Sequence, residues 1–139
     1  MTVSDTKTPR KTDSAPPESR QRARRLAEDV GRLVDWRIGG PRGLQARYLH
    51  NESRARGEMA ALRKGASRDS GELPEIWELT SVHVPDYAGD APTWEETAVH
   101  TAMTLYAVHQ QSRTEPMFAP GRGLGRAARS LIGPPDEEN

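Results

Sequence analysis

The chain has 139 residues, no cysteine, and 20 Lys/Arg against 20 Asp/Glu. That length, with 34% hydrophobic residues, allows one domain with a modest core; the missing thiols exclude disulfide staples, Cys-ligated zinc or iron-sulfur sites and a Cys nucleophile. No apolar run approaches the roughly 20 residues of a membrane span, and the N-terminal stretch lacks the apolar centre of a secretory signal, so the expected setting is the cytoplasm, with no membrane partner.

Residues 1–18 combine Ser, Thr, Pro and Lys with almost no large apolar side chain and read as a disordered tail. A helical bundle domain is predicted over residues 19–133, followed by an acidic tail over 134–139. After Ser19, Ala23, Leu26, Ala27, Val30, Leu33, Val34 and Ile38 recur at three- and four-residue steps, one face of an amphipathic helix. Gly39, Gly40 and Pro41 stop it. A second helical stretch is predicted over residues 43–50, and Asn51 is a candidate N-cap for a third that ends at Gly65 with Ala55, Met59 and Leu62 on its apolar stripe.

The segment ELPEIWEL (residues 72–79) places Pro74 where a first helical turn accepts it, and Ile76, Trp77 and Leu79 suggest a short plug against the core. Residues 82–92, with Tyr87 among Pro and Gly breaks, read as a surface loop. Thr93 followed by Glu96 is a capping box. The helix it opens, predicted over residues 94–111, is apolar around much of its circumference, which predicts a central position with Trp94, Ala98, Ala102 and Leu105 buried, along with Trp77. A Pro/Gly-rich loop then leads to a last helix whose Leu124, Ala127, Ala128, Leu131 and Ile132 face inward, halted at Gly133. Strand-like alternation is absent, so the expected fold is all-α, a small helical bundle.

Charge is segregated along the chain. Residues 1–68 hold 16 Lys/Arg and 8 Asp/Glu, residues 69–112 hold 8 acids and no Lys or Arg, and residues 113–129 return four Arg against one Glu. Seventeen of the cations are Arg, whose planar guanidinium grips phosphate through two parallel hydrogen bonds. Arg54, Arg63 and Lys64 on the third helix, with Arg122, Arg126 and Arg129 around the glycine loop, are the candidate contacts for a nucleic-acid backbone, on a surface expected to lie away from residues 69–96.

Other chemistry finds little support. His100 and His109 stand nine residues apart on one helix and point to opposite sides, so they cannot share an ion, and no metal, cofactor or catalytic residue is expected. A small enzyme built on Glu96, His100 and Tyr106 would need the three to converge. The loop Gly121-Arg122-Gly123-Leu124-Gly125 lacks the Lys and hydroxyl of a nucleotide-hydrolysing loop. It reads as a tight turn permitting close helix packing, or as a backbone contact through its arginines. A free-standing helical DNA-binding regulator is the alternative from another class, and the helices flanking residues 39–41 are its nearest candidate for a recognition pair.

The order Leu62-Arg63-Lys64, GELPEIWELT, a long helix ending LYAVHQQ, then PGRGLGRA resembles the CasB-type small subunit of the type I-E CRISPR complex Cascade. In that family a basic helix end precedes a short Pro-acid-x-aromatic segment and a long helix, and a Gly-x-x-Leu-Gly-x-Ala loop opens the next helix. Gly121, Leu124, Gly125 and Ala127 match that loop, with Arg126 in its variable position. The resemblance implies a non-enzymatic helical subunit, present as a pair, whose basic surfaces help hold the crRNA-bound target strand and the displaced strand of the R-loop. Its implied partners are the other Cascade subunits, crRNA, both DNA strands and a second copy of itself. Arg63 and Lys64 match the family's basic helix end. Family members usually continue into a second helical bundle beyond the glycine-loop helix, so the chain is expected to represent the N-terminal portion of the family's usual length.

Overall fold

The 3.6-residue apolar period becomes helix wherever the computed structural model describes the chain, residues 16–83 and 89–121. Residues 1–15 of the expected tail, Tyr87, the glycine-loop helix with Leu124, and the acidic tail lie outside the described residues. The elements in order are α1 (Pro17–Gly39), α2 (Leu44–Leu49), α3 (Ser53–Gly65), a 3-10 turn (Pro74–Ile76) running into α4 (Trp77–Thr80), and α5 (Trp94–Gln110). No strand occurs among the described residues, and none of their helices is long and apolar enough to cross a membrane.

α1 starts at Pro17, two residues before its expected onset, because proline at the first helical position gives up a backbone N–H that has no partner there anyway. Only its C-terminal half packs: Val34 and Ile38 are buried, Leu26, Val30 and Leu33 partly so, while Ala23 and Ala27 stay exposed. They join Leu44 of α2, Ala55, Met59 and Leu62 of α3, Leu73, Ile76 and, from α5, Val99, Met103, Tyr106 and Ala107 in one core. Each fully buried large aliphatic side chain contributes about 1.5–3 kcal/mol. α5 packs against α1, α3 and α4.

Two expectations about α3 and its neighbours need correction. The N-cap of α3 is Glu52, without a side-chain hydrogen bond; Asn51 instead turns the chain between α2 and α3 with φ at +59°. Asparagine suits both roles, since its short amide tolerates the left-handed region. Trp77 is half exposed, its indole Nε1 donating to the Gly71 carbonyl at 2.9 Å, so the plug is made by Leu73 and Ile76 instead. Ile76 fits so closely over α3 that a Cβ on Gly65 would come 2.6 Å from its Cδ1.

The capping box forms as its residues suggest: Glu96 N–H donates to Thr93 Oγ1 at 3.3 Å, and Thr93 N–H donates to Glu96 Oε2 at 2.7 Å. α5 is one-sided, however. Trp94 and Leu105 are about half exposed (49% and 52%) and Ala98 and Ala102 only partly buried, against the expectation of burial. The reason lies in rotation about the helix axis. At about 100° per residue, Trp94, Ala98, Leu105 and Val108 share one face, and the packing elements take the opposite one, through Val99, Met103, Tyr106 and Ala107.

Candidate nucleic-acid interface

α3 presents its cations on three sides. Relative to the buried stripe of Ala55, Met59 and Leu62, a 100° step places Arg56 and Arg63 within about 20° of each other on one flank. Arg54 falls on the opposite flank and Lys64 points outward. The structure therefore does not gather Arg54, Arg63 and Lys64 into one patch. Arg122, Arg126 and Arg129 lie outside the described residues.

The two flanks differ in what their cations already hold. Arg54 Nε donates to Glu58 Oε1 at 3.1 Å, and the other oxygen of Glu58 accepts from Arg47 Nη2 at 3.0 Å. Arg47 reaches Glu52 as well, at 3.5 Å. This chain of two guanidiniums and two carboxylates neutralises itself. Lys64 Nζ donates to Glu75 Oε1 at 3.0 Å, which ties α3 to the acidic segment rather than setting it apart from that segment as expected. Neither Arg56 nor Arg63 has an ion-pair partner among the described residues.

Beside Arg56 runs the segment that follows α5, and two glutamines hold it. Gln110 is fully buried. Its Oε1 accepts from Met117 N–H at 2.9 Å and Tyr106 Oη at 3.3 Å, while its Nε2 donates to the carbonyls of Arg113 and Glu115 at 3.2 and 2.9 Å. Gln45 of α2 brackets Phe118, donating to its carbonyl at 3.1 Å and accepting from its N–H at 2.9 Å. Phe118 in turn meets the Tyr106 ring edge-on, centroids 6.4 Å apart, and lies against Gly39, where a Cβ would approach its ring to 2.8 Å. The Tyr48 hydroxyl accepts from Ser112 N–H at 3.4 Å. Burial pushes the Tyr106 phenol above the ordinary tyrosine range, with the neighbouring Tyr48 adding to it.

Sequence reasoning passed over Arg56, Arg113 and Gln110. The signal available for Arg113 was that it is the first cation after residues 69–112, which contain none.

The residues proposed for small-molecule chemistry are spent on structure. Glu96 closes its capping box, His100 Nε2 donates to the carbonyls of Gly65 and Arg68 at 3.0 and 2.9 Å, and Tyr106 donates to Gln110. Ten residues of helix put Glu96 and Tyr106 about 15 Å apart along the axis. No group of three His, Asp or Glu side chains suited to a metal ion occurs among the described residues. The recognition-helix alternative fares no better: α2 has six residues and buries Leu44.

A family model for the CRISPR-associated protein Cse2 matches residues 58–138. The match covers most of α3, the 3-10 turn, α4 and α5, and continues through the glycine-loop sequence. No curated protein and no solved structure matches the chain.

Proposed function

Because the chain belongs to the Cse2 family of CRISPR-associated proteins, and so to the subunits of the Cascade complex, we propose that it serves as the non-catalytic small subunit of a type I-E surveillance complex, binding nucleic-acid backbone without base preference and stabilising the R-loop. The observation that carries this reading is the family match over residues 58–138. The unpaired cationic flank of α3 supports it, since free guanidiniums are the groups that exchange counterions for phosphates. In this reading the chain works in the cytoplasm beside the other Cascade subunits, crRNA, the target and displaced DNA strands and a second copy of itself. Its contribution is binding free energy, delivered to an opened duplex that a separate nuclease cuts.

The test adds purified chain to a crRNA-bound complex lacking its small subunit and follows R-loop lifetime and nuclease-dependent degradation of the target. Restored R-loop stability is the expected result. The double variant R63E/K64E should weaken binding to single- and double-stranded nucleic acid alike, and wild-type affinity should fall steeply with salt. Base-specific, salt-insensitive binding, or nuclease or phosphatase activity of the chain alone that disappears on changing Glu96 or His100, would overturn the proposal.

A further inference from the structure

The turn between α2 and α3 and the turn after α5 meet at a recess of about 270 Å³ bordered by Tyr48, Asn51, Arg56, Ser112, Arg113 and Thr114. It contains two guanidiniums and no carboxylate. Two of the nearby acids are committed elsewhere, Glu52 to Arg47 and Glu58 to Arg47 and Arg54, and Glu115, two residues past Arg113, is exposed and not part of the lining. Neither Arg56 nor Arg113 forms an ion pair among the described residues. Apart from Leu49, the rest of the rim carries hydroxyls and an amide, all groups that donate to anionic oxygen. From these observations we propose that the recess is a phosphate subsite that holds one phosphodiester of a bound strand between Arg56 and Arg113.

Its construction is suited to that task. Asn51 and Ser112, both with φ at +59°, are the two non-glycine residues in the left-handed region among the described residues, and both border this recess. One of them turns the chain into α3 and the other turns it out of α5, so each places an arginine at the rim. Arg113 follows Ser112 directly, and Arg56 lies in the first turns of α3. Three of the hydrogen bonds of Gln110 hold the backbone of residues 113–117, which carries Arg113, so a ligand entering the recess does not have to order the loop itself. The volume equals that of about nine water molecules, enough for a phosphate group and its remaining hydration. Arg63, on the same flank of α3 as Arg56 and about 10 Å further along the axis, extends the line of free cations away from the recess.

The identity of the ligand as a nucleic-acid strand rests on the proposed function; the anion chemistry of the recess does not. Two measurements on the full chain separate them. Titration with inorganic phosphate against chloride at constant ionic strength, followed by backbone amide NMR, should shift Asn51, Ser112 and Thr114, and the shifts should vanish in R56A/R113A. Binding of a fluorescently labelled single-stranded oligonucleotide across a salt series should lose roughly tenfold in affinity in R56A/R113A. Its log-log salt slope should flatten by about 0.7, the value for one lost phosphate contact on a single strand. Both arginines are exposed, and an unchanged thermal melt confirms an intact fold. Phosphate-dependent shifts with an unchanged oligonucleotide slope would overturn the strand contact and leave a small-anion site. No shift at these amides would overturn the subsite altogether. If R63E/K64E loses nucleic-acid binding while R56A/R113A does not, the proposed function stands and this inference fails.

Discussion

The two flanks of α3 carry the same residue type and opposite electrostatics. On one, Arg54 and Arg47 share Glu58, a carboxylate largely shielded from solvent, and Arg47 also reaches Glu52. On the other, Arg56 is exposed and Arg63 half-buried, neither paired with a carboxylate among the described residues, and the loop pinned by Gln110 brings Arg113 to the same side. A guanidinium already hydrogen-bonded to a carboxylate must give up that partner before it binds phosphate, so its net contribution to a nucleic-acid complex shrinks. A free one gives up only water and a loosely held counterion. Counting arginines therefore overstates an interface, and the pairing pattern decides which of them matter.

The strongest way to break the unpaired flank is from below. In Gln110→Ala the N–H of Met117, the hydroxyl of Tyr106 and the carbonyls of Arg113 and Glu115 lose their shared partner in a buried position. Leaving buried groups unsatisfied costs about 1–3 kcal/mol each where water cannot enter, and the edge of this site is partly open. The expected loss is thus on the order of 2–4 kcal/mol, a fall in Tm of roughly 10 °C or more. Below that melting temperature the variant should also bind oligonucleotide more weakly than wild type, with Arg56 and Arg113 both in place. A variant as stable as wild type, and binding as well, would show that the loop after α5 needs no internal support.

Much of the helical skeleton was legible. The Thr93–Glu96 capping box, the glycine-rich stop after α1 and the Pro74 onset are local signals, set by residues within a turn of one another, and the structure builds each of them. Two kinds of feature were not. The buried side of α5 could not be read because Leu105 and Val108 on one face are as apolar as Val99 and Met103 on the other; only the positions of α1, α3 and α4 choose between them. Asn51 was misassigned because the same side chain favours an N-cap and a left-handed turn. The candidate interface suffered more. The Arg54–Glu58 pair follows the familiar four-residue spacing and could have been read. The Lys64–Glu75 pair spans a chain reversal, and Arg56 and Arg113 are brought to one recess by tertiary packing alone. Gln110 carries no sequence signal for burial, since a polar residue near a helix end usually faces water.

A smaller change sharpens the comparison by turning the paired flank into an unpaired one. Glu58→Gln keeps the side-chain volume while removing the charge that both Arg47 and Arg54 hold. Stability should drop by about 1 kcal/mol, because the amide oxygen keeps a weaker, uncharged hydrogen bond to one guanidinium while its NH2 cannot accept from the other, and the pairs are partly solvated. Nucleic-acid affinity should rise, with a log-log salt slope for single strands steeper by up to about 1.4 if both released arginines reach phosphates. Lower affinity with an unchanged slope would mean that the paired arginines contribute nothing even when freed, and that flank would be purely structural.

The smallest expected effect belongs to Arg54→Ala, and it bears most directly on the comparison. Arg54 is about three-quarters exposed and its pair with Glu58 is an i, i+4 contact, a class worth roughly 0.3–0.5 kcal/mol. Glu58 keeps Arg47 as a partner at 3.0 Å, so no buried charge is orphaned and the thermal melt should shift by no more than about 2–4 °C. If pairing governs which cations bind, the oligonucleotide affinity and salt slope of this variant should match wild type within error, while Arg56→Ala, removing one exposed arginine of the same helix, weakens binding and flattens the slope by up to about 0.7. Equal losses for the two variants would mean that Arg54 exchanges Glu58 for phosphate at no net cost. The interface would then be set by the number of cations on α3 and not by their partners, and the distinction between its two flanks would fall.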